Sequence, residues 1–462
     1  MEFGWNFLWF IVAVSLLVTV HEFGHFWVAR KLGFKVLRFS IGFGKPLYKR
    51  IGRGPDHTEY VIAALPLGGY VRMLDERDGA VDPADLPRAM GSKPPWQRIL
   101  VMLAGPGANF LFAILVLWAM FWAIDSVQYK PVIQNVVLGS PAAAAGLRDG
   151  DEFRTINGER VVDRIDAALG LLDAISDDGN ATIVVLGRDG SERSVTLAVP
   201  DPAARRKFTE PSQFNRSLGF DFWFPVIPPE LGEVIAGGPA DKAGLEPGDL
   251  IVAVNGVPMR SFLEFQDYIR ARPDQSMLLV VRRDGQEFSR RVQTTRDVEQ
   301  GKTIGRLHIR SPQDFERFIP AAMQVRTDFG PIGALGAATA KAWQMTAAQG
   351  KFFVRMLTGK ISMKNLSSPI GIAGIAGDSA HAGPEGYLQF LVLISLSLGF
   401  LNLLPIPILD GGQVVFAVVE WLKGSPLSER AQAVGWHVGL LMLALLMGVA
   451  VFNDLSHGFV PS

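Results

Sequence analysis

Apolar residues gather in four long runs along the chain: Trp5 to about Ala29, Ile99–Ile124, Leu388 to about Ile408, and Val434–Phe452. Each approaches the roughly 20 residues that a helix needs to cross a bilayer, whereas the core helix of a soluble domain needs only about 10–14. The first run has neither a basic leader nor a small-residue cleavage site, so it reads as a retained span and not as a removable signal peptide. Between the second and third runs, about Val127 to Gly383, the pattern is that of a soluble domain. The alternation predicts a multi-pass α-helical membrane protein of four spans with an α+β insertion.

Charge orients the spans. Arg30, Lys31, Lys35, Arg38, Lys45, Lys49 and Arg50 follow the first run, and Arg88, Lys93 and Arg98 precede the second. Lys423 and Arg430 follow the third. The opposite flanks carry Asp125 and Glu385 without a basic excess. Lys and Arg collect on the cytoplasmic side, so both termini and the long insertion are expected outside the cytoplasm.

The insertion contains a repeat. "SPAAAAGLRDGDEFRTING" (Ser140–Gly158) returns as "GPADKAGLEPGDLIVAVNG" (Gly238–Gly256), with Pro141, Gly146, Gly150, Asp151 and Asn157 matched by Pro239, Gly244, Gly248, Asp249 and Asn255. Each copy predicts a short helix, a glycine stop, a turn, and a strand ending in an Asn-Gly hairpin. Two copies make a duplicated module, since a solenoid needs at least three.

Further on, Gly330–Leu357 predicts a helix. Lys341, Gln344, Lys351 and Arg355 make it too polar to cross a bilayer, and Trp343, Phe352, Phe353 and Met356 give it an apolar side. It either lies in the membrane interface or packs against the inserted modules. The Gly- and Ala-rich stretch "SSPIGIAGIAGDSAHAGPEG" after it is expected to be irregular.

Composition narrows the chemistry. The 462 residues suggest about three domains. Net charge is zero, which argues against bulk electrostatic binding to nucleic acid. Mean hydropathy is +0.22, between a soluble protein and one that is all membrane. There is no cysteine, so a metal must be held by His, Asp or Glu.

Those residue types occur inside the first span. "HEFGH" (His21–His25) matches H-E-x-x-H, which on a helix puts His21 and His25 on one face, one turn apart, with Glu22 beside them as a general base. An ionisable group at the centre of a span costs about 2.5–3.5 kcal/mol, and a shared zinc ion would offset that. Catalytic zinc takes a third protein ligand. His57, His308, His381, His437 and His457 lie in polar or peripheral stretches, whereas Asp410, in "NLLPIPILDGG" (Asn402–Gly412), is the only acid between Leu388 and Gly412. Pro405 and Pro407 break the helix before it. Asp410 can also cap a helix that starts there, and the two roles are compatible.

HEFGH in the first span, "LDG" (Leu409–Gly411) in a late one and an inserted repeat together resemble the site-2 proteases, and the likeness covers nearly the whole chain. It includes "SIGFGKPLY" (Ser40–Tyr48), "LPLGGYVRM" (Leu65–Met73), "AGPGANF" (Ala104–Phe110) and "GFLNLLPIPILDGG" (Gly399–Gly412). The resemblance implies one zinc ion per chain on His21, His25 and Asp410, with Glu22 as base. It also implies Asn402 as a residue that handles substrate, and a membrane-associated β-hairpin around Gly68, Gly69, Tyr70 and Val71 that receives it. The modules resemble PDZ domains, and Ser217, Leu218, Gly219 and Phe220 are similar to their carboxylate-binding loop. They either bind peptide by strand addition or serve as spacers. Ser397 and Gln413 depart from residues some relatives carry.

The domains expected are 1–29, the first span with H-E-x-x-H; 30–97, cytoplasmic with the hairpin; 98–124, the second span; and 127–215 and 216–311, the two PDZ-like modules. After them come 312–384, an amphipathic helix and loop; 385–412, the third span with the LDG motif; and 434–453, the fourth. The resemblance implies a bacterial inner-membrane zinc endopeptidase that contacts lipid. It would cut single-pass proteins (anti-sigma factors, remnant signal peptides) after a first periplasmic cut. A catalytically idle PDZ adaptor and a metal or proton transporter are the competing classes.

Overall fold

The computed structural model describes residues 2–123, 127–208, 217–299, 302–312, 315–326 and 329–456. It divides into a helical unit, 1–126 with 327–462, and an inserted unit, Val127–Arg326.

Helix α1 (Glu2–Lys31) has a defined stop. Gly33 adopts φ +76°, its N–H bonds to the carbonyl of Arg30 and that of Phe34 to Ala29. This is a Schellman ending, with glycine at the left-handed position. Phe34 and Ala29, both fully buried, close it with an apolar contact. Helix α2 (Pro95–Ala123) crosses α1 closely, because Gly24 lies against the Ala104 carbonyl with no room for a side chain.

Strands β1 (Val36–Ile51) and β2 (Glu59–Met73) pair in three runs. Residues 59–62 of β2 pair both with 38–41 and with 48–51 of β1, whereas Gly69–Met73 pair only with 36–41. Among the described residues Gly69–Met73 therefore has a strand on one side only, and forms an edge.

Helix α3 (Pro331–Leu357) fulfils the helix expected there. Ala338 and Ala342, spaced one turn apart, pack with Ala113 and Leu117 of α2. Trp343, Val354 and Leu357 remain exposed. The following stretch is not irregular, as expected from its glycines, but forms helix α4 (Pro369–His381). Ser368 caps its first turn, and Asp454 accepts hydrogen bonds from the Ser368 N–H at 2.8 Å and the Gly371 N–H at 3.2 Å. Capping and small-residue packing outweigh the low helix propensity of glycine.

Helix α5 (Pro384–Asn402) ends ten residues earlier than the third span expected to reach 412. The segment 403–409 is a turn, and α6 (Asp410–Lys423) begins at the aspartate. Gly411 and Gly412 sit against the carbonyls of Leu403, Leu404 and Ile406, so only glycine lets the chain turn so tightly. Helix α7 (Glu429–Ser456) completes the unit. Among the described residues four helices are long and apolar enough to cross a membrane: Gly4–Lys31, Pro95–Ala123, Pro384–Asn402 and Arg430–Leu455.

The inserted unit repeats one topology. Strands 159–160, 152–156, 180–186 and 192–198 form one sheet, and 257–258, 250–254, 276–283 and 286–293 form its counterpart. Asn157 and Gly158 (φ 50° and 83°) and Asn255 and Gly256 (φ 48° and 81°) make matching hairpin turns. Asp151 and Asp249 are both buried. The first pairs with Arg193 and the second with Arg283, each at 2.6 Å.

The boundary expected at 215/216 is corrected. Leu218, Phe220 and Phe222 belong to the first core, and Asp221–Phe222 pairs with Ile133–Gln134. The corresponding second-module pairing uses Ile309–Arg310. Val137 N–H bonds to the Gly219 carbonyl as Ile235 N–H does to His308. Gly219 (φ +80°) thus has His308 (φ +57°) as its counterpart. The bulk is exchanged across the contact: a side chain on Gly219 would meet Ser140, and one on Gly238 would meet His308. The inserted unit runs past 311, the end expected for the second module, but stops at 326, short of the expected Gly383, since Gln324–Arg326 pairs with Val127–Tyr129.

Candidate metal centre

One turn of α1 brings His21 and His25 onto the same face, and both are buried. The turn after α5 delivers Asp410 to them. His21 Nε2 lies 3.1 Å and His25 Nε2 3.4 Å from Asp410 Oδ2, and the two Nε2 atoms are 3.2 Å apart. Asp410 Oδ2 is buried and lacks a hydrogen-bond donor. Zinc ligands about 2.0–2.1 Å from a tetrahedral centre stand about 3.4 Å from one another, so this triangle has the size that zinc requires. The capping alternative has no side-chain support: Leu409 holds the N-cap position and no side chain caps that terminus. His437 is exposed and bonds to the carbonyl of its own helix residue Ala433.

The seat for both rings is a stripe of α2. His25 Nδ1 contacts the Val101 carbonyl at 2.7 Å, and His21 Nδ1 contacts the Asn109 amide at 3.1 Å. Between them Gly105 lies directly beneath the imidazoles, leaving no space for a side chain. The i, i+4, i+8 spacing of 101, 105 and 109 puts them on one helix face. "AGPGANF" contains two of the three, but periodicity cannot show that they meet another helix's histidines.

Glu22 is half-buried beside the cluster. A Cβ on Gly69 would lie 3.1 Å from Glu22 Cγ and 2.8 Å from the Ser40 carbonyl. The edge of β2 therefore runs past Glu22. Tyr70 instead stacks on Phe43 at 6.1 Å and bonds to Arg38, and Gly68 (φ +143°) packs on the same Phe43. Asn402 ends α5 and is half-buried. Gln413 donates to the Pro407 carbonyl at 2.8 Å and Ser397 to Leu393 within its helix, also at 2.8 Å, so both serve local backbone. Ser217–Phe220 lie in the inserted unit.

Residues 9–446 match Peptidase family M50. The chain belongs to that family. The regulator of sigma-E protease RseP of Salmonella typhimurium is 40% identical over 454 residues, 98% of each chain. Its namesake from Escherichia coli is 40% identical over 457 residues, 99% of each. A relative from Neisseria meningitidis named a zinc metalloprotease is 38% identical over 455 residues, 97% of this chain and 98% of its own. A solved PDZ domain from Listeria monocytogenes aligns with 21% of this chain at 20% identity and a TM-score of 0.17, too low to bear on the fold. The protein is a zinc metalloprotease of the site-2 type, and its resident cofactor is zinc.

Proposed function

We propose that His21, His25 and Asp410 hold the zinc and that Glu22 is the general base for hydrolysis of a peptide bond within a membrane-spanning substrate. The observation that carries this is the triangle of ligand atoms lying beside both a carboxylate and a strand edge. Bound zinc supplies a Lewis acid that polarises the scissile carbonyl and acidifies water. Glu22 takes a proton from water as its oxygen attacks the carbonyl carbon, then passes that proton to the leaving amine nitrogen.

A helical substrate hides its carbonyls in hydrogen bonds, so it must unwind before cleavage. Gly69–Met73 has an unpaired side along which an extended segment can add as a strand, with Gly68, Gly69, Tyr70 and Val71 forming the receiving edge. Asn402, at the end of α5, is assigned to holding the substrate near the zinc. The likeness to regulator of sigma-E proteases supports single-pass substrates of the anti-sigma-factor type, and remnant signal peptides, in the bacterial inner membrane. The basic loops support an extracytoplasmic place for the insertion, whose two modules read as PDZ-like domains with Ser217–Phe220 as the carboxylate loop of the first. A transporter would need a polar file through the spans; among the described residues one His/Asp/Glu cluster is present.

The test is cleavage in reconstituted membranes of one single-pass substrate, offered trimmed and untrimmed on its extracytoplasmic side, with the cut mapped. A cut inside the spanning segment of the trimmed form supports the reading. Cuts confined to exposed loops contradict it.

A further inference from the structure

We infer that Asn109 is a positioning residue for the metal site: its side-chain carbonyl accepts the Nδ1 proton of His21 and thereby turns the Nε2 lone pair of that ring toward the metal. The inference rests on the ligand assignment above and adds a residue from a third element of the fold.

His21 Nε2 faces Asp410 Oδ2 at 3.1 Å and His25 Nε2 at 3.2 Å. A neutral imidazole has one proton, and a ring that ligates through Nε2 carries it on Nδ1. Nδ1 is then a donor and needs an acceptor. For His25 the acceptor is the Val101 carbonyl at 2.7 Å. For His21 the neighbouring group is the Asn109 amide at 3.1 Å.

The amide fits in either orientation. With its nitrogen toward His21, two donors face each other in the ligating tautomer, and Oδ1 stays buried without a partner. With its oxygen toward His21, the orphaned acceptor gains a donor and the ring is locked in the form that binds metal. Asn109 is itself held. It is fully buried, and its backbone carbonyl accepts the Ser395 hydroxyl of α5 at 2.9 Å. Two turns of α2 therefore supply one carbonyl to each histidine, and the bare face of Gly105 lies between them. Partners that orient a ligating histidine typically change metal affinity about 10- to 100-fold when removed.

The experiment measures the zinc dissociation constant of the detergent-solubilised full chain by competition with a chelating dye. Asn109→Leu keeps the volume and removes the acceptor, so affinity should fall about 10- to 100-fold. Asn109→Asp keeps an acceptor in both orientations and should bind zinc at least as tightly as the parent, which also covers a leucine variant that fails to fold. His21→Ala is the control for the ligand assignment. Retention of full zinc affinity by His21→Ala would sink that assignment. Loss in His21→Ala with parental affinity in Asn109→Leu, or equal weakening by Asp and Leu, would overturn the role of Asn109 alone.

Discussion

His21 Nε2 and Asp410 Oδ2 stand 3.1 Å apart, though one lies in the first helix and the other opens α6. That contact closes the helical unit around its chemistry. It also makes Asp410 the proposed ligand most easily tested. Asp410→Ala should lower zinc from one per chain to less than about half, since two imidazoles alone leave a catalytic site one ligand short. Elemental analysis of the purified variant decides. Full zinc content would mean that another residue ligates.

Gly105 faces both rings with no space for a methyl group. Gly105→Ala should weaken zinc binding at least about tenfold, because tightly packed interiors resist an added carbon at a cost of about 1–3 kcal/mol. Alanine is the better helix former by about 1 kcal/mol, so helix content should not fall. Titration with zinc alongside circular dichroism separates the two effects. Unchanged affinity would show that the rings can move aside.

Gly69 tests the edge strand. A methyl group there would press on the Glu22 side chain and the Ser40 carbonyl, at 3.1 and 2.8 Å, without touching a ligand. Gly69→Ala should reduce cleavage about ten- to a hundredfold, the scale of a small misplacement of a catalytic group, at constant zinc content. Parental turnover would place the base out of reach of this strand.

Much of this was legible in the chain, and the remainder was not for identifiable reasons. H-E-x-x-H states its own geometry, because a helix fixes which residues share a face. The spans were legible from length, and the Asn-Gly turns from their need for positive φ. Helix α4 was missed because its glycines and alanines are poor evidence of a helix, while the cap from Asp454 comes from a distant part of the chain. Ser217–Phe220 was placed with the wrong module because local order suggested the next repeat, whereas strand pairing carries it back to Ile133. Asn109 and Gly105 lie in AGPGANF, but that motif does not say what they face. Their meaning lies in what α1 places against them.

The inserted unit has its own test. If it acts as a sieve, deleting Val127–Arg326 behind a short flexible linker should allow untrimmed substrate to be cut at the original bond, since the proposed catalytic residues all lie in the other unit. If its grooves capture substrate instead, the deletion should slow cleavage of the trimmed form. A variant that binds zinc but processes neither would defeat the sieve.

The central claim is zinc-dependent proteolysis with Glu22 as base. The most direct measurement is cleavage of a trimmed single-pass substrate in reconstituted membranes by parent and Glu22→Gln, each as purified, after chelation, and after zinc is restored. The parent should lose activity on chelation and regain it with zinc. Glu22→Gln should hold zinc like the parent yet stay inactive throughout, because an amide cannot take the proton. Cleavage that survives chelation, or turnover by Glu22→Gln at the parental rate, would contradict the account.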